Sequence, residues 1–142
     1  MGGFIKVALI ISHDFLLNYL EVSRESLIGC QPQRWRWKTT LSTNIAGYLA
    51  SRGNRVNLLD LDKQKSATHW LTIRPFEHPI IDLLSSAYNP ISADWLVIDS
   101  PAGLRDKNLE RTLKISHQVI VPISPSLFDI QASREFLDVL HH

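Results

Sequence analysis

Lys38-Thr39-Thr40, set ahead of a segment with helical apolar spacing, is the first combination in the sequence that could do chemistry. An amine there neutralises phosphate charge, a hydroxyl ligates Mg²⁺, and a helix start favours anions, so the run reads as the end of a phosphate-binding loop. The acidic candidates are Asp60 and Asp62 in Leu58-Leu59-Asp60-Leu61-Asp62, and Asp99 in Val97-Ile98-Asp99-Ser100-Pro101-Ala102-Gly103. Carboxylate oxygens of this kind hold Mg²⁺ or orient an attacking water. A single Asp at the end of an apolar run reads equally well as a cap for the next helix. Two at one rim, beside Lys-Thr-Thr, point to a metal-phosphate site.

The elements that must position these groups can be read from periodicity. Leu41, Ile45, Tyr48 and Leu49 fall at helical spacing, and Arg52-Gly53-Asn54 supplies a stop, which predicts a helix of about thirteen residues after Thr39-Thr40. Val56–Asp62, Trp95–Asp99 and Val119–Ile123 are apolar runs bounded by turn or charged residues, and read as strands buried on both faces. Helical patterns are expected over Ala67–Ile73, Ile80–Ala87, Leu104–Ile115 and Leu127–Leu140. Strands alternating with helices predict an α/β fold with a parallel sheet flanked by helices, in which ligands sit outside the carboxyl ends of the strands. Ser124-Pro125 closes the third strand at that same rim.

Taken together, Lys38 to Ala46, Leu58 to Gln64, Asp94 to Gly103 and Val121 to Ser126 resemble, in order and spacing, the ParA/MinD family of deviant Walker ATPases, the ParA partition branch most closely. The resemblance spans residues 38–140, and Asp60-Leu61-Asp62-Lys63-Gln64 is its most specific part. It implies a P-loop NTPase-like fold with ATP and Mg²⁺ as cofactors, acting in plasmid or chromosome partition or in cargo positioning. By the same resemblance Lys38 contacts the β- and γ-phosphates, Thr39 ligates Mg²⁺ and Thr40 helps hold the α-phosphate. Asp62 orients the attacking water, Asp99 holds Mg²⁺ through water, and the Gly103 N–H reaches the γ-phosphate. The implied partners are a second copy in an ATP-dependent dimer, a stimulating partition protein, and non-specific DNA bound through a C-terminal part absent from residues 1–142; a bacterial, cytoplasmic protein is implied.

The chain departs from the family at one place. The family loop reads Lys-Gly-Gly-x-Gly-Lys-Thr-Thr, whereas Gln33-Arg34-Trp35-Arg36-Trp37 precedes Lys38 here. Glycines let such a loop turn through positive φ and bring backbone N–H groups against phosphate oxygens, which Trp and Arg side chains obstruct. ATP affinity is therefore expected to be impaired. The family's first loop lysine, which reaches a partner's nucleotide, aligns with Gln33, which argues against an ATP-sandwich dimer. Phe4–Ile11 is strand-like but stands about twenty residues too early to run directly into the loop.

A one-nucleotide shift of reading frame upstream of Lys38 would account for both departures. Tryptophan is always encoded TGG, so starting one base later turns Trp35 and Trp37, each with the next base, into glycine. The whole stretch 31–37 then permits Asn-Pro-Lys-Gly-Gly-Val-Gly, and Leu27 to Cys30 permit an apolar run such as Leu-Leu-Val-Val that supplies the first strand. The expected organisation is thus an irregular, out-of-frame segment over 1–37 and a partial ParA-like domain over 38–142, incomplete at its C-terminus. Genuine divergence is the alternative, leaving a catalytically inactive remnant or a partner-binding module of the same fold. Arg34-Trp35-Arg36-Trp37 would also suit stacking on single-stranded bases or a membrane surface, but four residues are too few to carry either.

Composition agrees with one globular domain. The 142 residues are 44% hydrophobic and 20% charged, and 15 Lys+Arg against 14 Asp+Glu leave a charge of +1, so nothing in the overall charge drives binding to nucleic acid or acidic membranes. Lone Cys30 cannot form an internal disulfide, Met1–Ile11 lacks signal-peptide order, and no run of about 18 apolar residues exists, which together point to the cytoplasm and away from a membrane. His69, His78 and His117 show no metal spacing, and His141-His142 alone do not make a ligand set.

Overall fold

The structure, a computed structural model, describes residues 6–10, 36–85, 92–101, 106–122, 130 and 134. In chain order these form β1 (Lys6–Ile10), α1 (Arg36–Ser51), β2 (Val56–Asp60), α2 (Ser66–Ile73), β3 (Ile81–Leu84), β4 (Trp95–Asp99), α3 (Asp106–Ile115) and β5 (Gln118–Ile120). Five strands make one parallel sheet in the order β3-β2-β4-β1-β5. Ile130 and Arg134 are helical, and the rest of the expected 127–140 helix lies outside the described residues.

The strand order fixes where a site must form. From β1 the chain crosses over β4 to β2, whereas from β4 it crosses over β1 to β5, so the connections of these two adjacent strands leave in opposite directions. A crevice opens at the carboxyl ends of strands that part in this way. Register places Ile10 beside Asp99 and Asp60 beside Asp99, which brings three strand ends level at the mouth of that crevice.

The core lies on β1, β2 and β4, where Ile10, Leu58 and Val97 are fully buried and pack with Val56, Ala46, Ala50 and Ala67, and Ile98 is fully buried as well. Strand β2 is buried along its whole length, as its run of Val, Leu and Leu requires for a strand covered on both faces. The deepest stripe of α1 is Lys38, Ser42, Ala46 and Ala50, each no more than 3% exposed and four residues apart. Small side chains on that stripe let the helix lie close on the sheet. Leu41, Ile45 and Leu49 flank it half-buried, and Tyr48, expected among the buried set, is exposed.

Three sequence expectations are corrected. Helix α1 begins at Arg36 and runs 16 residues, so Lys38 and Thr39 sit inside its first turns rather than ahead of it. The described part of the expected Ile80–Ala87 helix is not helical: Ile81–Leu84 is an edge strand paired with β2, Ile81 and Leu84 buried and Leu83 exposed. A short apolar run fits either period, and the open edge of β2 decides the matter in favour of a strand. Strand β2 ends at Asp60, and the third expected strand is Gln118–Ile120, one residue earlier and shorter than Val119–Ile123. Lys6–Ile10, in the segment 1–37 expected to be irregular, is instead a strand paired on both sides, between β4 and β5. The Leu27–Cys30 segment lies outside the described residues.

Both ends of the central unit are fastened by local chemistry. Gly53, at φ +83°, closes α1: its N–H donates to the Ala50 carbonyl and the Asn54 N–H to the Leu49 carbonyl, a pairing that needs a left-handed residue at its centre. At the amino ends of β2 and β4 the Arg55 guanidinium donates to the Asp94 carboxylate and the Arg55 N–H to the same group at 2.8 Å, fixing the register of the two strands.

The edge-strand assignment makes a stability prediction. Leu84→Ala should cost about 2–3 kcal/mol in urea unfolding and Leu83→Ala less than about 1 kcal/mol, because only the first side chain is buried by the pleat. Equal costs at the two positions would contradict this register.

Candidate functional site

The site grows from Asp99, the last residue of β4, which is 1% exposed. A carboxylate so deeply placed needs donors, and α1 supplies them. The Thr39 hydroxyl donates to Asp99 Oδ2 at 2.8 Å, and the Ser42 hydroxyl lies 3.0 Å from Oδ1 and 2.9 Å from the Lys38 carbonyl. Thr39 and Ser42 are three residues apart, so one face of the helix presents both hydroxyls to both carboxylate oxygens. Burial holds the Asp99 carboxyl above the usual carboxylate range and the Asp60 charge adds to this, while the two hydroxyls and the Lys38 charge pull the other way.

Lys38 is buried beside it. Its Nζ donates to the Ser100 carbonyl at 2.8 Å and lies 4.0 Å from Asp62 Oδ2. Ser100 in turn donates its hydroxyl to the Ile10 carbonyl at 2.6 Å, which ties the residue after β4 to the end of β1. A lysine near a helix start opposes the helix dipole, and because the first turn of α1 carries no acidic residue the offsetting carboxylates come from outside the helix, from Asp62 and Asp99.

Asp60 and Asp62 divide the two roles that the sequence leaves open. Asp60 Oδ1 accepts the Asp62 N–H at 3.0 Å, and Oδ2 accepts the N–H and hydroxyl of Thr68 at 2.9 and 3.0 Å. Thr68 lies in the first turn of α2, so Asp60 is the cap of the next helix, reached from eight residues upstream. Asp62 repeats the local turn by accepting the Gln64 N–H at Oδ1, which leaves Oδ2 toward Lys38.

Of the sequence candidates, Lys38, Thr39, Asp62 and Asp99 are brought together. Thr40 is exposed on the same turn of α1, its carbonyl accepting from Asn44 Nδ2 at 2.7 Å. Gly103 and Gln33 lie outside the described residues. Two contributors went unnoticed in the sequence. Ser42 could have been found from its i+4 spacing to Lys38 on a helix facing the rim. Lys65 had no such signal: it adopts φ 53°, ψ 35° ahead of α2, and its Nζ donates to the Asp60 carbonyl at 2.5 Å. The left-handed conformation costs a side-chain-bearing residue roughly 1–2 kcal/mol, and it is what turns the chain from Asp62 into α2.

Hard oxygen donors from one hydroxyl and one carboxylate suit Mg²⁺, which takes few protein ligands and completes its shell with water and phosphate. Among the described residues no group of three or more His, Cys, Asp or Glu is placed to hold a metal ion by itself, as a soft or all-protein site would require. No helix among the described residues is long and apolar enough to cross a membrane.

Comparison with known proteins bears on this arrangement. The family model of the CobQ/CobB/MinD/ParA nucleotide binding domain matches residues 37–138. A maintenance of carboxysome distribution protein A from Halothiobacillus neapolitanus is 31% identical over 114 residues, covering 72% of this chain and 52% of that protein. The chain thus spans about half the length of this curated relative. Among solved structures, a Borrelia burgdorferi B31 protein described as a plasmid partition protein, crystallised with AMPPNP, superposes with a TM-score of 0.61 at 18% identity. That superposition covers 97% of this chain and 69% of the other, and it establishes a shared fold.

Because burial raises the Asp99 pKa, the folded state holds its proton to higher pH than the unfolded chain does, and stability falls as pH rises through that interval. Without divalent cations, Asp99→Asn should therefore gain thermal stability relative to the unaltered chain on going from about pH 4 to about pH 7. Melting curves in EDTA across that range check this, and a constant difference between the two proteins would contradict it.

Proposed function

The chain belongs to the CobQ/CobB/MinD/ParA nucleotide-binding domain family, and from that premise we propose that it is a ParA-like ATPase that positions a plasmid, a chromosome or another cargo. The observation that carries this reading is the meeting of a buried lysine, a hydroxyl and two carboxylates at the switch point of the sheet, with Thr39 bonded to Asp99 at 2.8 Å and Lys38 set 4.0 Å from Asp62. The names of the carboxysome-distribution relative and the plasmid-partition neighbour favour positioning as the use to which nucleotide is put.

Mg²⁺, when bound, supplies charge neutralisation on the transferring phosphoryl group. Thr39 and Asp99 are the groups to hold it. Lys38 exchanges its Ser100 carbonyl for phosphate oxygens, and Thr40, exposed on the first turns of α1, is the residue assigned to the α-phosphate by the family resemblance. Asp62, released from the lysine charge, orients the attacking water and accepts no lasting proton. Gly103, a nucleotide-dependent second copy, a stimulating partner protein and DNA enter this proposal only through the family resemblance.

Residues 31–37 contain no glycine, so nucleotide binding through this loop is proposed to be weak, with a one-base frame shift before Lys38 as its origin. The same observation favours a second reading, in which the chain is a catalytically inactive member that keeps the sheet and associates with an intact relative.

Titration of a fluorescent ATP analogue with and without Mg²⁺ separates the readings. The ATPase proposal expects Mg²⁺-dependent binding that Lys38→Ala lowers at least tenfold, and at least tenfold tighter binding when Gln33→Lys, Arg34→Gly, Trp35→Gly, Arg36→Val and Trp37→Gly are combined. No binding by the unaltered chain, together with stable association with an intact relative, supports the inactive member. Equal weak binding by the unaltered chain and Lys38→Ala overturns the ATPase reading.

A further inference from the structure

Asp99 is gripped from two sides, by the hydroxyls of Thr39 and Ser42. Thr39 is a candidate ligand in its own right. Ser42 lies one turn deeper in α1, is fully buried, and meets Asp99 through its hydroxyl. A serine hydroxyl has one proton, and two acceptors compete for this one: the Lys38 carbonyl at 2.9 Å and Asp99 Oδ1 at 3.0 Å. Donation to the helix's own carbonyl four residues back is an ordinary fate for a helical serine. Donation to Asp99 is the alternative that satisfies a buried carboxylate, and a charge-assisted bond is the stronger of the two.

We infer that Ser42 is a positioning residue which, by donating to Asp99 Oδ1, fixes the plane of that carboxylate so that Oδ2 and the Thr39 hydroxyl present a preformed pair of oxygens to Mg²⁺. The inference deepens the proposed function and rests on it. Groups that orient a ligand without touching the metal commonly change metal affinity by 10–100-fold when removed. Ser42→Ala removes the donor at a helical position where alanine is well tolerated. Ser42→Cys keeps nearly the same volume but offers only a weak donor, so it separates hydrogen bonding from packing.

The test uses the full chain with AMPPNP, reading the Mg²⁺ concentration at half-saturation of nucleotide binding and the residual affinity in EDTA. Ser42→Ala and Ser42→Cys should each raise the Mg²⁺ midpoint roughly tenfold and leave the EDTA affinity unchanged. An unchanged midpoint in Ser42→Ala, or its restoration in Ser42→Cys, overturns the inference. A thermal cycle of Ser42→Ala and Asp99→Ala in EDTA tests the contact without any nucleotide. The two Tm shifts should fail to add by roughly 3 °C, and additive shifts overturn the inference. A chain that binds no AMPPNP at any Mg²⁺ concentration defeats the proposed function instead, and the thermal cycle then decides alone whether Ser42 holds Asp99.

Discussion

The contact between the Asp99 carboxylate and the hydroxyls of Thr39 and Ser42 joins the two halves of this molecule. Strand β4 delivers a charge to the dry end of a parallel sheet, and the first turns of α1 deliver the donors that make the charge tolerable there. The helix can come close enough only because its inner stripe consists of Lys38, Ser42, Ala46 and Ala50, with no large apolar side chain on it. Around that contact the remaining strand ends fall into place: Ser100 reaches back to β1, the Leu61 N–H donates to the Asp99 carbonyl, and Asp60 starts α2.

The sequence shows the skeleton well where burial dictates residue type. Val56–Asp60 and Trp95–Asp99 can hardly be anything but buried strands, and the carboxylates that end them mark the rim. It shows less where tertiary context chooses between local alternatives. Ile80–Ala87 has apolar residues at helical spacing, yet the unpaired edge of β2 takes Ile81–Leu84 as a strand. The inner face of α1 is hidden for the opposite reason: a search for large apolar residues finds Leu41, Ile45 and Leu49, whereas close packing selects small ones. Lys65 is invisible because nothing about lysine announces a positive φ.

Asp60 and Asp62 show how the same residue type, two positions apart, is given different partners. Strand pleat and the turn that follows aim Asp60 at the amino end of α2 and Asp62 toward Lys38, a difference that spacing foreshadows but geometry settles. The phosphate side of the site remains defined by its departure from the family loop. Helix α1 already begins at Arg36 and takes in Trp37, where the family loop has glycine, so the backbone there is committed to helix rather than to wrapping an anion. The contrast is between the Thr39–Asp99–Ser42 contacts, which are formed, and the residues just ahead of Lys38, which lack the family's glycines.

Electron paramagnetic resonance of Mn²⁺, used in place of Mg²⁺ with AMPPNP on the full chain, tests the metal-phosphate assignment most directly. Bound Mn²⁺ should show ³¹P hyperfine coupling, and its affinity should fall at least tenfold in Thr39→Val. Mn²⁺ that shows no phosphorus coupling, or binds equally well to Thr39→Val, would contradict that assignment.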